Sequence, residues 1–239
     1  MTATLIACAH GTRSSVGQQS VNELRALVQE LAPDVRVVEA YVDVHGPELD
    51  VVAAAEAAAA LEEGAPTVIV PLLLSTGFHT EVDIQRAAAD AGGDVRVAGS
   101  LGPHPLLAEI LVDRVLEAGG DLSWPLVIAA AGSSNARAAD DIEAIRQLVA
   151  ELWRGPVTVG FAAAMTPTVA EAVDAAIEAA EESSPGQRQP VAVATYMLAP
   201  GYFSDLVAQT AATITSAPLG PDVRVAQVAL QRYAEALVS

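Results

Sequence analysis

Five polar residues stand where predicted buried strands end, and their types suit chemistry with a metal ion. They are His10 after the first strand, Asp43 and His45 after the second, His79 after the third and His104 after the fourth. Carboxyl ends of parallel strands meet at one edge of a sheet, where ligands collect, so these side chains are the first candidates for a site. Two neutral imidazoles with a carboxylate would hold Fe²⁺, Co²⁺ or Ni²⁺ loosely. Because histidine also accepts protons near neutral pH, the set predicts metal transfer coupled to proton removal.

Each of these residues also has an ordinary structural explanation. A histidine in a polar loop or at the start of a helix often only satisfies backbone groups. The second half of the chain repeats the first and allows the two explanations to be compared. Residues that the fold itself needs should recur there, but the places of His10, Asp43, His45 and His79 are taken by apolar residues: Ala131, Ala163, Met165 and Phe203. The first half is therefore predicted to carry the site, and the second half an apolar wall and lid.

Eight short β-rich runs alternate with longer segments of helical period, in two series of four. The predicted strands are 3–9, 35–42, 67–74 and 94–98, then 126–131, 157–162, 191–198 and 222–226. Nearly continuous apolar strands are typical of parallel sheets covered on both faces. The predicted fold is α/β, with two similar lobes that are each a doubly wound, mainly parallel four-stranded sheet with helices on both faces. We expect an active cleft between the lobes.

Local matches support the repeat and place its boundary. The pentapeptide Asp-Val-Arg-Val-Ala occurs at 94–98 and again at 222–226, and Leu74-x-x-Gly-Phe78 resembles Leu198-x-x-Gly-Tyr202. A helical pattern ends at the glycine pair 119–120. The predicted lobes are therefore 1–120, which carries the histidines, and 121–239, which lacks them.

Composition limits the partners. The 239 residues are 52% hydrophobic, enough for a substantial core, and carry a net charge of −18. Such a charge disfavours nucleic acid and anionic lipid. We expect no membrane contact and a cytoplasmic location, because no signal peptide or apolar run of about 20 residues is present. The single cysteine, Cys8, excludes an internal disulfide.

Other local patterns leave alternatives open. The turn that contains Arg13 lies between a strand and a helix, so it could bind a carboxylate or only cap the helix. Phosphate-loop and dinucleotide-binding motifs are absent, so nucleotide dependence has no support. A nucleophilic pair of Cys8 and His10 is conceivable, but a strand cysteine is more often a small buried residue. Phe78, Tyr202 and Phe203 could contact a flat macrocycle or belong to the core.

Two motifs together resemble a known family. The opening Ala-His10-Gly-Thr-Arg, followed by Pro71-Leu-Leu-Leu-Ser-Thr-Gly-Phe-His79-Thr-Glu-Val-Asp83-Ile, is similar to the sirohydrochlorin chelatases, the class II metal chelatases of siroheme and cobalamin synthesis. The resemblance extends over the whole chain and to the long, two-lobed form of the family. It implies ATP-independent insertion of Fe²⁺ or Co²⁺ into sirohydrochlorin in a cleft between the lobes, with the metal as substrate and no permanently bound cofactor.

The resemblance also assigns residues. The family's two metal-site histidines fall on His10 and His79, which are expected to hold the metal and accept protons. Asp43 takes the place of an acidic residue, more often glutamate in the family, and is expected to assist charge balance and proton exit. The residues predicted to bind substrate follow the first and third strands: Gly11, Thr12, Arg13, Ser14, Ser75, Thr76, Gly77 and Phe78. The cysteine-rich or histidine-rich metal tails of some members do not occur in this sequence, and with one cysteine we expect no iron–sulfur cluster.

Two other functions remain open at the level of sequence. A non-enzymatic Co²⁺ or Ni²⁺ carrier or sensor could use the same histidines, and a two-lobed solute-binding protein would have a similar cleft. The missing signal peptide counts against the second. Imidazole and carboxylate suit iron and cobalt alike, so the sequence does not select the metal. A tandem repeat already provides two facing lobes, and we expect a monomer.

Overall fold

The chain forms two separate four-stranded sheets. The computed structural model describes residues 3–75, 77–133, 135–183 and 189–238. The strand order is β2-β1-β3-β4 in the first sheet and β6-β5-β7-β8 in the second. All the described strand pairs are parallel. The strands are β1 Thr4–Ala9, β2 Arg36–Tyr41, β3 Thr67–Pro71, β4 Val95–Val97, β5 Leu126–Ala130, β6 Val157–Phe161, β7 Ala192–Tyr196 and β8 Ile214–Thr215.

Helices connect the strands and cover the sheets. They are α1 Ser15–Leu31, α2 Leu49–Glu63, α3 Phe78–Ala91, α4 Pro105–Glu117, α5 Ala136–Leu152, α6 Val169–Ser183, α7 Tyr202–Val207 and α8 Val223–Val238. The predicted α/β architecture of two similar, doubly wound, parallel sheets is confirmed. None of the helices in the described part of the chain is both long and apolar enough to cross a membrane.

The strand residues are apolar on both sides because helices lie on both faces of each sheet. In β1, Ile6 and Cys8 share a core with residues of α2 and α3, such as Ala53 and Ile84. Successive strand residues point to opposite faces. Leu5 therefore faces the other way, where α1 and α8 pack against each other. The second sheet has the same arrangement, with α6 and α7 on one face and α4 and α5 on the other.

The compact units differ from the predicted division at residue 120. The first unit is Met1–Leu101 with Gly220–Ser239, and the second is Gly102–Leu219. Each repeat thus contributes its last helix to the other unit: α4 packs on α5 and β7, and α8 packs on α1 and β3. A helix joins whichever apolar sheet face it covers, and the glycine pair at 119–120 marks only where α4 ends.

The predicted strand 222–226 is wrong, because these residues begin α8 and the fourth strand of the second sheet is Ile214–Thr215. The Oδ1 atom of Asp222 accepts a hydrogen bond from the backbone N of Arg224 at 2.9 Å, and the Asp222 carbonyl accepts one from the backbone N of Val225 at 3.1 Å. These bonds start a helix. At the identical pentapeptide 94–98, the carbonyl of Asp94 instead accepts a hydrogen bond from Thr67 in the sheet.

Candidate functional site

The ends of β1 and β2 join His10 to Asp43 through the backbone. The N–H of Asp43 donates to the carbonyl of His10 at 3.0 Å, which extends the strand pairing beyond Tyr41. Both the His10 and the Asp43 residues are exposed. No described residue hydrogen-bonds the His10 imidazole. An accessible imidazole and a carboxylate thus project from adjacent loops at the carboxyl edge of the sheet, where a parallel α/β fold binds ligands.

Gly11 allows these two loops to approach closely. Its φ is +99°, and a Cβ built there would lie 2.2 Å from the carbonyl oxygen of Asp43. Any other residue would have to move the Asp43 carbonyl. Gly11 was predicted to bind substrate, and the structure gives it a further role in setting the distance between the two loops.

Asp43, Val44 and His45 form a tight γ-turn. The carbonyl of Asp43 accepts a hydrogen bond from the N–H of His45 at 2.9 Å, and Val44 between them has φ +72°. A γ-turn with positive φ is the rare, strained form. The Oδ1 atom of Asp43 also accepts a hydrogen bond from the N–H of Val44 at 2.6 Å, which ties the carboxylate to its own turn.

The His45 ring contacts residues of this turn and of the strand before it. Its Nδ1 atom lies 3.1 Å from the carbonyl oxygen of Gly46, and its ring centroid lies 4.0 Å from that of Tyr41. The Nε2 atom is buried, and no described residue hydrogen-bonds it. A ring held in this way packs as part of the turn, whereas His10 is open to solvent.

Some polar groups of the turn before α1 form the hydrogen bonds that start the helix. Ser14 is the N-cap of α1, and its Oγ atom accepts a hydrogen bond from the N–H of Gly17 at 3.2 Å. The Oγ1 atom of Thr12 accepts one from the N–H of Ser14 at 3.2 Å. Arg13 is exposed. The helix-cap interpretation of Ser14 is confirmed, and Arg13 presents the positive charge of this turn to solvent.

The third loop of the edge follows β3, which pairs with β1. Ser75 is partly exposed, and Gly77 is the N-cap of α3. His79 is the second residue of α3, so the backbone places it after the strand adjacent to that of His10. Thr76 and the side chains of Phe78 and His79 lie outside what the structure describes. Their predicted roles stay predictions.

His104 lies at the start of a helix. It is the N-cap of α4, where its Nδ1 atom accepts a hydrogen bond from the N–H of Leu106 at 3.1 Å. The helix α4 belongs to the second compact unit. A histidine that caps a helix is the ordinary structural explanation, and it holds here.

Cys8 does not provide a nucleophile. It is 0% exposed, and burial raises the pKa of its thiol to about 12. The thiolate is the reactive form, so Cys8 is inert near neutral pH. The prediction of a small buried residue is confirmed.

The described residues contain no group of three or more His, Cys, Asp or Glu side chains arranged to hold a metal. The candidate metal site therefore rests on His10, on the nearby carboxylate of Asp43 and on the sequence position of His79. Few and open ligands suit an ion that passes through, whereas permanent structural sites have a closed ligand set.

The second unit repeats the backbone of this edge without its polar side chains. The N–H of Ala163 donates to the carbonyl of Ala131 at 3.0 Å, and that of Met165 donates to the carbonyl of Ala163 at 2.8 Å, as in the first unit. Ala164 has φ +61°, like Val44. The fold therefore keeps the turns whether or not imidazole and carboxylate are present. These side chains are not required by the backbone.

A buried network behind the β2 end was not foreseen from the sequence. Arg25 of α1 is 7% exposed, and its Nη2 atom donates to the hydroxyl of Tyr41 at 2.8 Å and lies 2.8 Å from Oε1 of Glu39. Burial, followed by the hydrogen bond to Glu39, raises the pKa of Tyr41. The available signal was an arginine within the apolar stripe of α1, next to Leu24.

Solved structures share this architecture. SirB from Bacillus subtilis with Fe³⁺ has a TM-score of 0.77 and 20% identity, over 99% of this chain and 96% of that one. The sirohydrochlorin chelatase SirB from B. subtilis subspecies spizizenii in complex with cobalt has a TM-score of 0.75 and 17% identity, over 99% and 95%. CbiX, the terminal enzyme for biosynthesis of siroheme in denitrifying bacteria, has a TM-score of 0.68 and 21% identity, over 99% of both chains. No curated protein matches the sequence significantly.

These likenesses establish the class of the protein, a two-repeat parallel α/β protein with the chelatase fold. The CbiX family model matches residues 4–118 and again 125–236. The chain belongs to the CbiX family. The two matches coincide with the two predicted repeats, and the family resemblance seen in the sequence is confirmed.

Proposed function

We propose that this protein inserts Fe²⁺ or Co²⁺ into sirohydrochlorin without ATP, as a step of siroheme or cobalamin biosynthesis. The observation that carries the proposal is the exposed His10 at the end of β1, tied by its backbone to Asp43 at the ligand-binding edge of a chelatase fold. Membership of the CbiX family supports it. So do the fold relatives, which include a SirB structure with Fe³⁺ and another with cobalt.

In the proposed reaction, His10 and His79 hold the incoming metal and accept the pyrrole protons that metallation releases. The open ligand set lets the ion leave for the macrocycle nitrogens, which bind it more tightly as the protons depart. Asp43 balances the charge and passes protons to solvent, to which it is exposed. The metal is a substrate, and the chain's own groups supply binding and proton transfer.

The macrocycle's carboxylates are proposed to bind at the turns after β1 and β3. Arg13 is exposed at the start of α1, where helix amides and the helix dipole favour anions. Gly11, Thr12, Ser14, Ser75, Thr76, Gly77 and Phe78 are the other predicted contacts. The local positive charge of Arg13 would offset the chain's overall charge of −18 for an anionic ligand.

A non-enzymatic Co²⁺ or Ni²⁺ carrier or sensor is not favoured. The fold relatives at full length include a sirohydrochlorin chelatase and an enzyme of siroheme biosynthesis. Action as a monomer and in the cytoplasm stays a prediction from the sequence.

The decisive experiment follows the absorbance of sirohydrochlorin anaerobically with purified protein and Fe²⁺ or Co²⁺. We expect metal-dependent spectral conversion by the wild type, and the faster metal identifies the preferred substrate. His10→Ala and His79→Ala should each lower the rate about 100-fold or more, since a positioned base contributes 10²–10⁴-fold. No acceleration over the uncatalysed background with either metal would contradict the chelatase function.

His104→Asn provides the matched control. It also removes a histidine, but asparagine keeps a side chain that caps α4. We expect its rate within about twofold of the wild type. An equal loss in this variant and in His10→Ala would show that the effect of the histidine substitutions is not specific to the proposed site.

A further inference from the structure

Val44 is an unfavourable residue for the place it occupies. Its φ of +72° lies in the left-handed region, which a β-branched residue rarely adopts. Its side chain is 42% exposed, so burial recovers little of the cost. Neither backbone preference nor packing explains a valine at this position.

The surrounding hydrogen bonds impose the conformation. The N–H of His45 is bound to the carbonyl of Asp43 at 2.9 Å, and the N–H of Tyr41 is bound to the carbonyl of Pro47 at 2.9 Å. The contact between the rings of Tyr41 and His45 fixes the far side of the turn. Strained residues persist where neighbouring structure determines them in this way, and they cluster at ligand-binding sites.

The second unit contains the same turn without a branched side chain. Ala164 has φ +61° at the same place, and the same hydrogen bond closes its turn. The fold therefore needs the turn in both units but does not need a branched side chain there. The valine occurs only in the unit that carries His10 and Asp43.

The Val44 side chain lies directly beside the candidate site. Its Cβ atom is 3.1 Å from the position that a Cβ of Gly11 would occupy. It therefore covers the backbone next to His10 and presents a branched apolar surface there. Such a surface suits the flat, apolar ring of a tetrapyrrole.

We infer that Val44 is a substrate-contact residue, whose side chain packs against the tetrapyrrole bound beside His10. This inference rests on the proposed function and identifies a residue that contributes to binding of the macrocycle and not to proton transfer. Truncating Val44 should therefore weaken binding of sirohydrochlorin and leave turnover nearly unchanged.

The test compares Val44→Gly and Val44→Ala with the wild type by KM and kcat, and by absorbance titration with metal-free sirohydrochlorin. We expect KM and Kd to rise about three- to tenfold, as for the loss of one apolar contact, and kcat to change less than about twofold. Val44→Gly relieves the left-handed strain and Val44→Ala removes the β-branching, so neither should lower the midpoint of thermal unfolding by more than a few degrees. Val44→Ile should keep KM within about twofold.

Ala164→Gly is the matched control, since it changes the equivalent turn of the second unit. It should leave KM unchanged. An active wild type with unchanged KM and Kd in Val44→Gly and Val44→Ala would overturn this inference alone. An equal rise of KM in Ala164→Gly would also overturn it, because the effect would then belong to turn flexibility. A wild type that inserts no metal would overturn the proposed function and this inference with it.

Discussion

Gly11 shows how one residue decides the geometry of the candidate site. Its φ of +99° and the approach of the Asp43 carbonyl exclude a side chain on two independent grounds. Gly132 repeats both features in the second unit, with φ +87° and a Cβ position 1.9 Å from the carbonyl oxygen of Ala163. A glycine is thus required wherever the first two loops of either sheet meet.

We predict that Gly11→Ala lowers the free energy of unfolding by about 3–5 kcal/mol, because it adds a steric clash to the cost of the left-handed backbone. Gly119→Ala is the control, since Gly119 has φ +90° but no atom of the described residues lies within 4 Å of its Cβ position. Gly119→Ala should lower the free energy of unfolding by only about 1–2 kcal/mol. Urea unfolding measures both values, and equal losses would show that the contact with Asp43 is readily relaxed.

The sequence allowed some of these residues to be predicted and not others. His10 follows a clear apolar strand and belongs to a recognisable motif, and its absence from the second repeat marked it as functional. Val44 gave no such signal, because valine is typical of strands and does not suggest a left-handed turn. Its conformation follows from hydrogen bonds between residues that a local pattern does not bring together.

At the scale of elements, a buried arginine joins α1 to β2. Arg25 contacts Glu39 and the Tyr41 hydroxyl and also hydrogen-bonds Asn22, and its guanidinium carbon lies 5.3 Å from the centre of the Tyr41 ring. Tyr41 in turn packs on His45. The end of β2, and hence the turn after it, is held in place from the helix side.

Arg25→Ala should lower the free energy of unfolding by about 1–3 kcal/mol, since it removes buried hydrogen bonds and the packing of the arginine stem. Arg36→Ala is the matched control. Arg36 also pairs with a glutamate, at 2.8 Å, but its side chain is 64% exposed. A surface pair contributes less than about 1 kcal/mol. Chemical denaturation of both variants tests the difference, and a larger loss for Arg36→Ala would contradict it.

The two copies of Asp-Val-Arg-Val-Ala show the limit of prediction at this scale. One lies in β4 and the other begins α8, so the local sequence fits both structures. The strand forms where β3 offers an edge to pair with, and the helix forms where Asp222 caps it. Seven of the eight predicted strands were found with small shifts at their ends, because strong apolar runs leave less choice.

At the scale of the whole molecule, each compact unit is completed by the last helix of the other repeat. The sequence predicted the two repeats and their boundary from patterns that are local in the chain. It did not predict this exchange, because α4 and α8 are both amphipathic and either sheet offers them an apolar face. Which face a helix covers depends on tertiary packing, which no periodicity records.

The exchange of α4 and α8 between the units predicts the opposite of what closeness in sequence would predict. Val228 of α8 is 0% exposed, so Val228→Asp buries a charge. We expect it to lower the free energy of unfolding by about 3–5 kcal/mol. Hydrogen exchange followed by mass spectrometry should show lost protection in β1 and β3, which belong to the same compact unit. The strands β5 and β7 should keep their protection, although they are nearer in sequence.

Ile110→Asp tests the reciprocal case, since Ile110 of α4 is also 0% exposed. Here protection should fall in β5 and β7 and persist in β1 and β3, because α4 packs on α5 and β7 in the second unit. Both variants place an aspartate at a fully buried position of a helix. The main difference between them is the unit that the helix completes. If each variant instead destabilised the sheet of its own repeat, the units would follow the sequence boundary near residue 120, and the reciprocal exchange of helices would be wrong.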